Sequence, residues 1–345
     1  MASTVKALIA RFERRKSTTT TPSGSAGVEK EAARSKEDES YQKSADVDEL
    51  QDTLAVLRVD NEGSSLANKE LHYGVSLRHL ASLPIPPFET VHAACAYVKS
   101  KTSGVDGYRS YAAWLLSSEE TKHLVKPQAN VFVSYAWNGL YQSTIQALVE
   151  HFNDSLDDTF VWMDFAIVDQ HLSAERDINF DEWAGIFRQN LKQTGRAVLV
   201  LTPGHKPIAV SRSWCCFEWV SIVDSKIPFD FCVPKSDKQQ LIDYMQRGMG
   251  FNNFNDIFAG INVEGARAFK PSDQEAILKQ MREIGIIRVN DVVMLSLKSW
   301  LANINDEALK TTPPSTRQFM FVLNARGAMH SVLVRYPWYR NCVLR

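Results

Sequence analysis

The chain has 345 residues, 44% of them hydrophobic, which is enough for one sizeable core with tails. Its 39 Lys and Arg are offset by 40 Asp and Glu, so no net field favours nucleic acid or an acidic partner. The five cysteines form no CxxC pair and no ligand-spaced set with His, which excludes a recognisable zinc site and suggests a reducing compartment.

Val5, Leu8, Ile9 and Phe12 fall on one helical stripe among Lys6, Arg11, Arg14, Arg15 and Lys16. Such a basic amphipathic start is read as a frayed terminal helix, a membrane-surface contact or an organelle presequence; Glu13 counts against the last. No secretory leader and no run of about 18–20 apolar residues is found. The expected location is cytoplasmic, with a mitochondrial alternative.

Residues 17–46 are rich in Ser, Thr, Lys and Glu and are expected to be disordered. Val47, Leu50, Leu54 and Leu57 repeat at 3-4-3 spacing, a stripe suited to packing or self-association but short for a coiled coil. Residues 58–87 mix Gly, Ser and Pro and close on Pro84-Ile85-Pro86-Pro87, which reads as a linker. The expected organisation is a mostly disordered 1–87 with short helices, a helical lead-in over 88–127 (His92–Val98, Tyr108–Leu116), an α/β domain over 128–305, and a tail over 306–345.

From Val131 the chain alternates. Apolar runs Val131–Tyr135, Thr159–Asp164, Ala197–Leu201 and Phe229–Val233 read as strands covered on both faces. Between them Leu140–Phe152, Asp181–Gln193 and Ser213–Asp224 have helical spacing. Helices are also expected at 236–247, 272–284 and 289–303. The alternation predicts a doubly wound parallel sheet with right-handed crossovers, flanked by helices.

Ligands of such sheets bind beyond the carboxyl ends of the strands, here Ser134–Trp137, Asp164-Phe165, Thr202–Gly204 and Pro234. The polar stretch 165–180 is long enough to serve as a lid. Glu218 is the one acid between Glu182 and Asp224, set among Trp, Cys, Phe and Val. A carboxylate there must reach solvent, pair with a base such as Arg212, or shift its ionisation as a site residue. Dinucleotide-fold, P-loop, HExxH and nucleophile-elbow motifs are absent, as is an aromatic-interleaved basic patch for nucleic acid.

Two stretches carry a family resemblance. Val131-Phe132-Val133-Ser134-Tyr135 resembles the first sequence box of Toll/interleukin-1-receptor (TIR) domains, and Trp162-Met163-Asp164 their second strand with its terminal Asp. Leu191–Gly195, Ala197–Leu201 and Ser211–Glu218 resemble the plant-type stretch in which an "AI-x-x-S" helix end precedes a strand and an "S-x-W-C-x-x-E-L" helix. The "VS-x-x-W" strand end, with Trp137, and the "R-x-W-C-x-x-E" helix are closer to TIR-like domains of unicellular eukaryotes. Arg212 stands where the plant-type pattern has Ser, and Trp219 where it has Leu. The compact Gly/Pro turn after the second strand is missing.

The resemblance implies a TIR-like fold (flavodoxin-like in its winding) and a signalling protein that self-associates and engages other signalling proteins. It also implies cleavage of the nicotinamide–ribose bond of NAD, a substrate rather than a resident cofactor, with Glu218 as the catalytic carboxylate. Ser134, Tyr135, Trp137, Trp162, Asp164 and Trp214 are the candidate binding residues, with Glu182 secondary. The alternatives are a non-catalytic scaffold assembling through the domain or the 47–57 stripe, and a nucleoside deoxyribosyltransferase-like enzyme.

Overall fold

A computed structural model of the chain describes residues 72–103, 110–171, 180–246, 258 and 261–311. The basic N-terminal stripe, the stretch over 17–46 expected to be disordered, the 47–57 stripe, residues 172–179 of the 165–180 stretch and the tail beyond 311 lie outside the described residues.

Six strands form one mixed sheet. They are β1 (Gly74–Ser76), β2 (Val125–Lys126), β3 (Val131–Ser134), β4 (Phe160–Trp162), β5 (Ala197–Val200) and β6 (Phe229–Cys232), in the spatial order β2-β1-β4-β3-β5-β6. β4, β3, β5 and β6 are parallel, with Phe132 opposite Trp162, Ser134 opposite Leu199 and Val200 opposite Cys232. β1 runs antiparallel to β2 and to β4. The chain is thus of the α/β class: the expected parallel sheet is present in four strands, and an antiparallel pair is added at its edge.

The helices are α1 (Leu77–Ala81), α2 (Val91–Thr102), α3 (Tyr111–Leu116), α4 (Tyr141–His151), α5 (Asp164–Ile167), α6 (Phe180–Thr194), α7 (Ser213–Asp224), α8 (Lys235–Gln246), α9 (Pro271–Ile284) and α10 (Ile286–Thr311). β4, β5 and most of β3 are apolar because both faces are covered; Val131, Phe132, Val161, Ala197 and Val198 are all buried. With right-handed crossovers, α4 covers one face and α6 with α7 the other. α4 packs on α1, whereas α6 and α7 pack on each other and on β3. Among the described residues no helix is long and apolar enough to cross a membrane.

The structure differs from the sequence reading in four places. The stretch expected to be linker contributes β1 and α1, whose Val75, Leu77 and Leu80 are fully buried. Gly74 permits this: a Cβ there would lie 2.6 Å from the Ala129 Cα. The lead-in likewise donates β2 to the sheet, so the sheet extends upstream of residue 128. Asp164 opens the short helix α5 rather than ending β4. Finally, α9 begins at Pro271 and ends at Gly285, whose φ of 99° breaks the helix before α10 runs on to Thr311, beyond the expected boundary at 305.

Numbered among themselves, the parallel strands have the order 2-1-3-4, the flavodoxin-like winding. The connections leaving β3 and β5 run in opposite directions. The carboxyl ends of these two neighbours therefore border the crevice where open α/β sheets place their ligands.

Candidate functional site

β3 ends in Ser134, which is buried, and the chain turns outward through Tyr135, Ala136 and Trp137. α7 approaches the same strand end from the β5 side. Its start is fixed by the segment before α9: Ser213 N donates to Arg267 O at 3.1 Å, Arg267 N donates to Ser211 O at 2.9 Å, and Arg212 pairs with Arg267 in an isolated parallel bridge. The Trp214 indole donates to Asp273 at 3.3 Å and its ring packs beside Phe180 and Phe217. Held in this way, α7 points Glu218 at the end of β3, where Ser134 Oγ donates to Glu218 Oε2 at 2.6 Å.

A cavity of about 460 Å³ opens here, within the usual size of small-molecule sites. Glu218 and Asp164 both line it, and both are half-buried. Burial raises Glu218 from the ordinary carboxylate range to about 8; the Ser134 hydrogen bond opposes the rise and the nearby Asp164 charge adds to it. Glu218 has no ion-pair partner among the described residues. The expected alternative, a structural pair with Arg212, does not form, although Arg212 lines the same cavity.

Asp164 is also raised by burial, but its own backbone N–H and three donors from other residues hold it back. The three are the Tyr135 hydroxyl, the Trp137 indole at 2.9 Å and the Phe165 N–H at 2.8 Å. The two carboxylates therefore differ in kind. Asp164 fixes the two aromatic side chains that follow β3, whereas Glu218 meets one hydroxyl and the cavity.

Tyr135, Trp137, Trp162, Asp164, Trp214 and Glu218, all picked out from sequence, line one space, and Ser134 reaches it through Glu218. Trp162 is mainly core: it is buried and stacks on Phe132 with ring centres 4.8 Å apart. Glu182 is not on the cavity wall, which instead takes its neighbour Trp183 together with Ile186 and Phe187 from α6. The 183, 186, 187 spacing was readable as a buried helix face, though nothing in it indicated a cavity. α2 supplies His92, Cys95 and Lys99, and the segment docked against Arg212 supplies Phe269, Lys270 and Asp273; neither group carries a local sign in the sequence.

Cysteine chemistry finds no support in this setting. Burial pushes the Cys95 thiol up to about 11 and Cys216 to about 12, and drives Cys215 well above its ordinary value, so no thiolate is ready near neutral pH. Among the described residues no group of His, Cys, Asp or Glu is placed to hold a metal ion. What the site offers is a desolvated carboxylate facing a cavity walled by flat aromatic side chains. Comparison with protein-family models, with curated proteins and with solved structures returns no match to this chain.

Proposed function

We propose that this is a TIR-like signalling protein that cleaves the nicotinamide–ribose bond of NAD with Glu218 as its catalytic carboxylate. The observation that supports the reading most is that Glu218, free of any cation among the described residues, faces a ligand-sized cavity at the topological switch of the sheet.

The chemistry follows from charge. Heterolysis of the C1′–N1 bond returns the bonding pair to the nicotinamide ring, which leaves neutral, and positive charge develops on the ribose C1′ and ring oxygen. A carboxylate held at that point stabilises the oxocarbenium-like state, as paired carboxylates do in glycoside cleavage. Water then adds to C1′ and releases a proton, giving ADP-ribose. Ser134 holds the Glu218 side chain and favours its ionised form. The faces of Trp137, Trp183 and Trp214 suit a flat, positively charged nicotinamide ring.

The test is release of nicotinamide from NAD by purified full-length chain, beside Glu218→Ala. Wild-type turnover and a loss of about 100-fold or more in the variant are expected, the size seen when a transition-state electrostatic partner is removed. Equal rates in both proteins would remove Glu218 from the reaction. An inactive wild type at high protein concentration would sink the enzymatic reading and leave the scaffold.

A further inference from the structure

The cavity wall carries an electrostatic feature that carboxylate chemistry does not use. Arg212, at the head of α7, and Lys99, on α2, are both half-buried and line it from different elements. Neither has an ion-pair partner among the described residues. Lys270, on the segment bridged to Arg212, adds a third positive charge to the wall, and Asp273 adds an acid to it. A half-buried cation without a counter-ion is costly, and a guanidinium favours a carboxylate or phosphate as the group that completes it.

The cavity wall also varies in exposure. Val133, Trp162 and Cys215 on the wall are buried, and Glu218 is half-buried. Phe269, next to Lys270, is 80% exposed, and its ring stands 6.0 Å from that of His92, which is also exposed and edges onto Trp137. The wall thus runs from buried Val133, Trp162 and Cys215 to the exposed rings of His92 and Phe269, with Glu218, Arg212 and Lys99 half-buried between these extremes of exposure. Burial and the Arg212 charge both lower the His92 pKa, so this imidazole adds an aromatic face rather than a further cation.

We infer that the ligand of this cavity is a phosphate-bearing nucleotide whose phosphates lie against Arg212 and Lys99, with Phe269 and His92 stacking on its outer base. The inference rests on the dinucleotide reading above and narrows it: a nucleoside without phosphates leaves both cations unanswered, which separates this site from nucleoside exchange.

Calorimetric titration of the full chain with ADP and with adenosine tests it. ADP is expected to bind about tenfold more tightly or better, the worth of one charge-assisted contact, and to lose that advantage as salt rises. Arg212→Met should weaken ADP by about tenfold while leaving adenosine unchanged. Lys99→Met, on another helix, repeats the test should the first variant fail to fold. Equal affinity for ADP and adenosine, binding of neither, or unchanged ADP affinity in the folded variants overturns the inference. Outcomes for the two proposals separate. Arg212-dependent ADP binding without NAD cleavage removes the glycohydrolase alone, whereas cleavage of nicotinamide riboside as efficiently as NAD removes the phosphate handle alone.

Discussion

Helix α7 carries two carboxylates, six residues apart, that burial treats alike and surroundings treat differently. Asp224, at its last turn, is raised by burial and drawn back by Arg288, whose Nη2 donates to Asp224 Oδ1 at 2.7 Å. Glu218 is raised by burial and has only the Ser134 hydroxyl against it. One acid ties α7 to α10; the other faces a cavity. The difference separates a structural carboxylate from a candidate catalytic one without reference to family, since only Glu218 keeps an unanswered demand for positive charge.

Exchanging the roles is the strongest way to break this comparison. Asp224→Asn should leave nicotinamide release from NAD within about twofold of wild type, set against the hundredfold loss for Glu218→Ala. It should instead cost roughly 1–3 kcal/mol of stability in urea unfolding, because Arg288 loses its charged partner. If Asp224→Asn abolished turnover while Glu218→Ala did not, the assignment would be reversed.

The second prediction concerns stability against pH. Glu218 binds its proton more tightly folded than unfolded, so between the ordinary glutamate pKa and about 8 the native state holds the extra proton and stability from this group falls as pH rises. Below that window both states are protonated, and above it both are ionised. Glu218→Gln should therefore raise the Tm at pH 8 by roughly 2–4 °C for each kcal/mol recovered, with a much smaller change at pH 4.5. A Tm difference that does not vary with pH would mean Glu218 is not desolvated.

A smaller effect is expected in the pH profile of kcat/KM, which should climb toward pH 8 as Glu218 ionises in the free protein. Ser134→Ala removes the hydrogen bond that favours the carboxylate, so the rising limb should move to higher pH by a fraction of a unit to about one unit. A limb that stays in place would assign the titration to another group, with Asp164 the next to try by Asp164→Asn.

The core of the fold was legible because parallel strands buried on both faces leave unbroken apolar runs, and the helices between them leave a 3.6-residue period. β1 and β2, three and two residues long, are too short to write any period. Their place depends on Gly74 admitting the backbone of Ala129, a contact between distant parts of the chain. The site divides in the same way. Ser134, Tyr135, Trp137 and Asp164 follow strands and could be located by topology, and Glu218 stood out as an acid in an apolar helix. Lys99, Phe269 and Lys270 reach the cavity through tertiary packing alone. Asp224 was passed over because Arg288, the residue that gives it meaning, lies on α10.

The position of β1 bears on where this protein can be cut. The Pro-rich stretch ending at Pro87 looks like a natural place to begin a shortened form, and residue 128 looks like another. Yet β1 lies second in the sheet, hydrogen-bonded on both sides, with β2 outside it. A truncation starting at either point withdraws β1 and bares the edge of β4 beside the cavity; the start at Pro87 also leaves β2 without its neighbour β1, and the start at 128 removes β2 as well. An unpaired edge of that kind invites association between chains. Apparent self-assembly of such fragments would then report the missing strand and not a signalling interface.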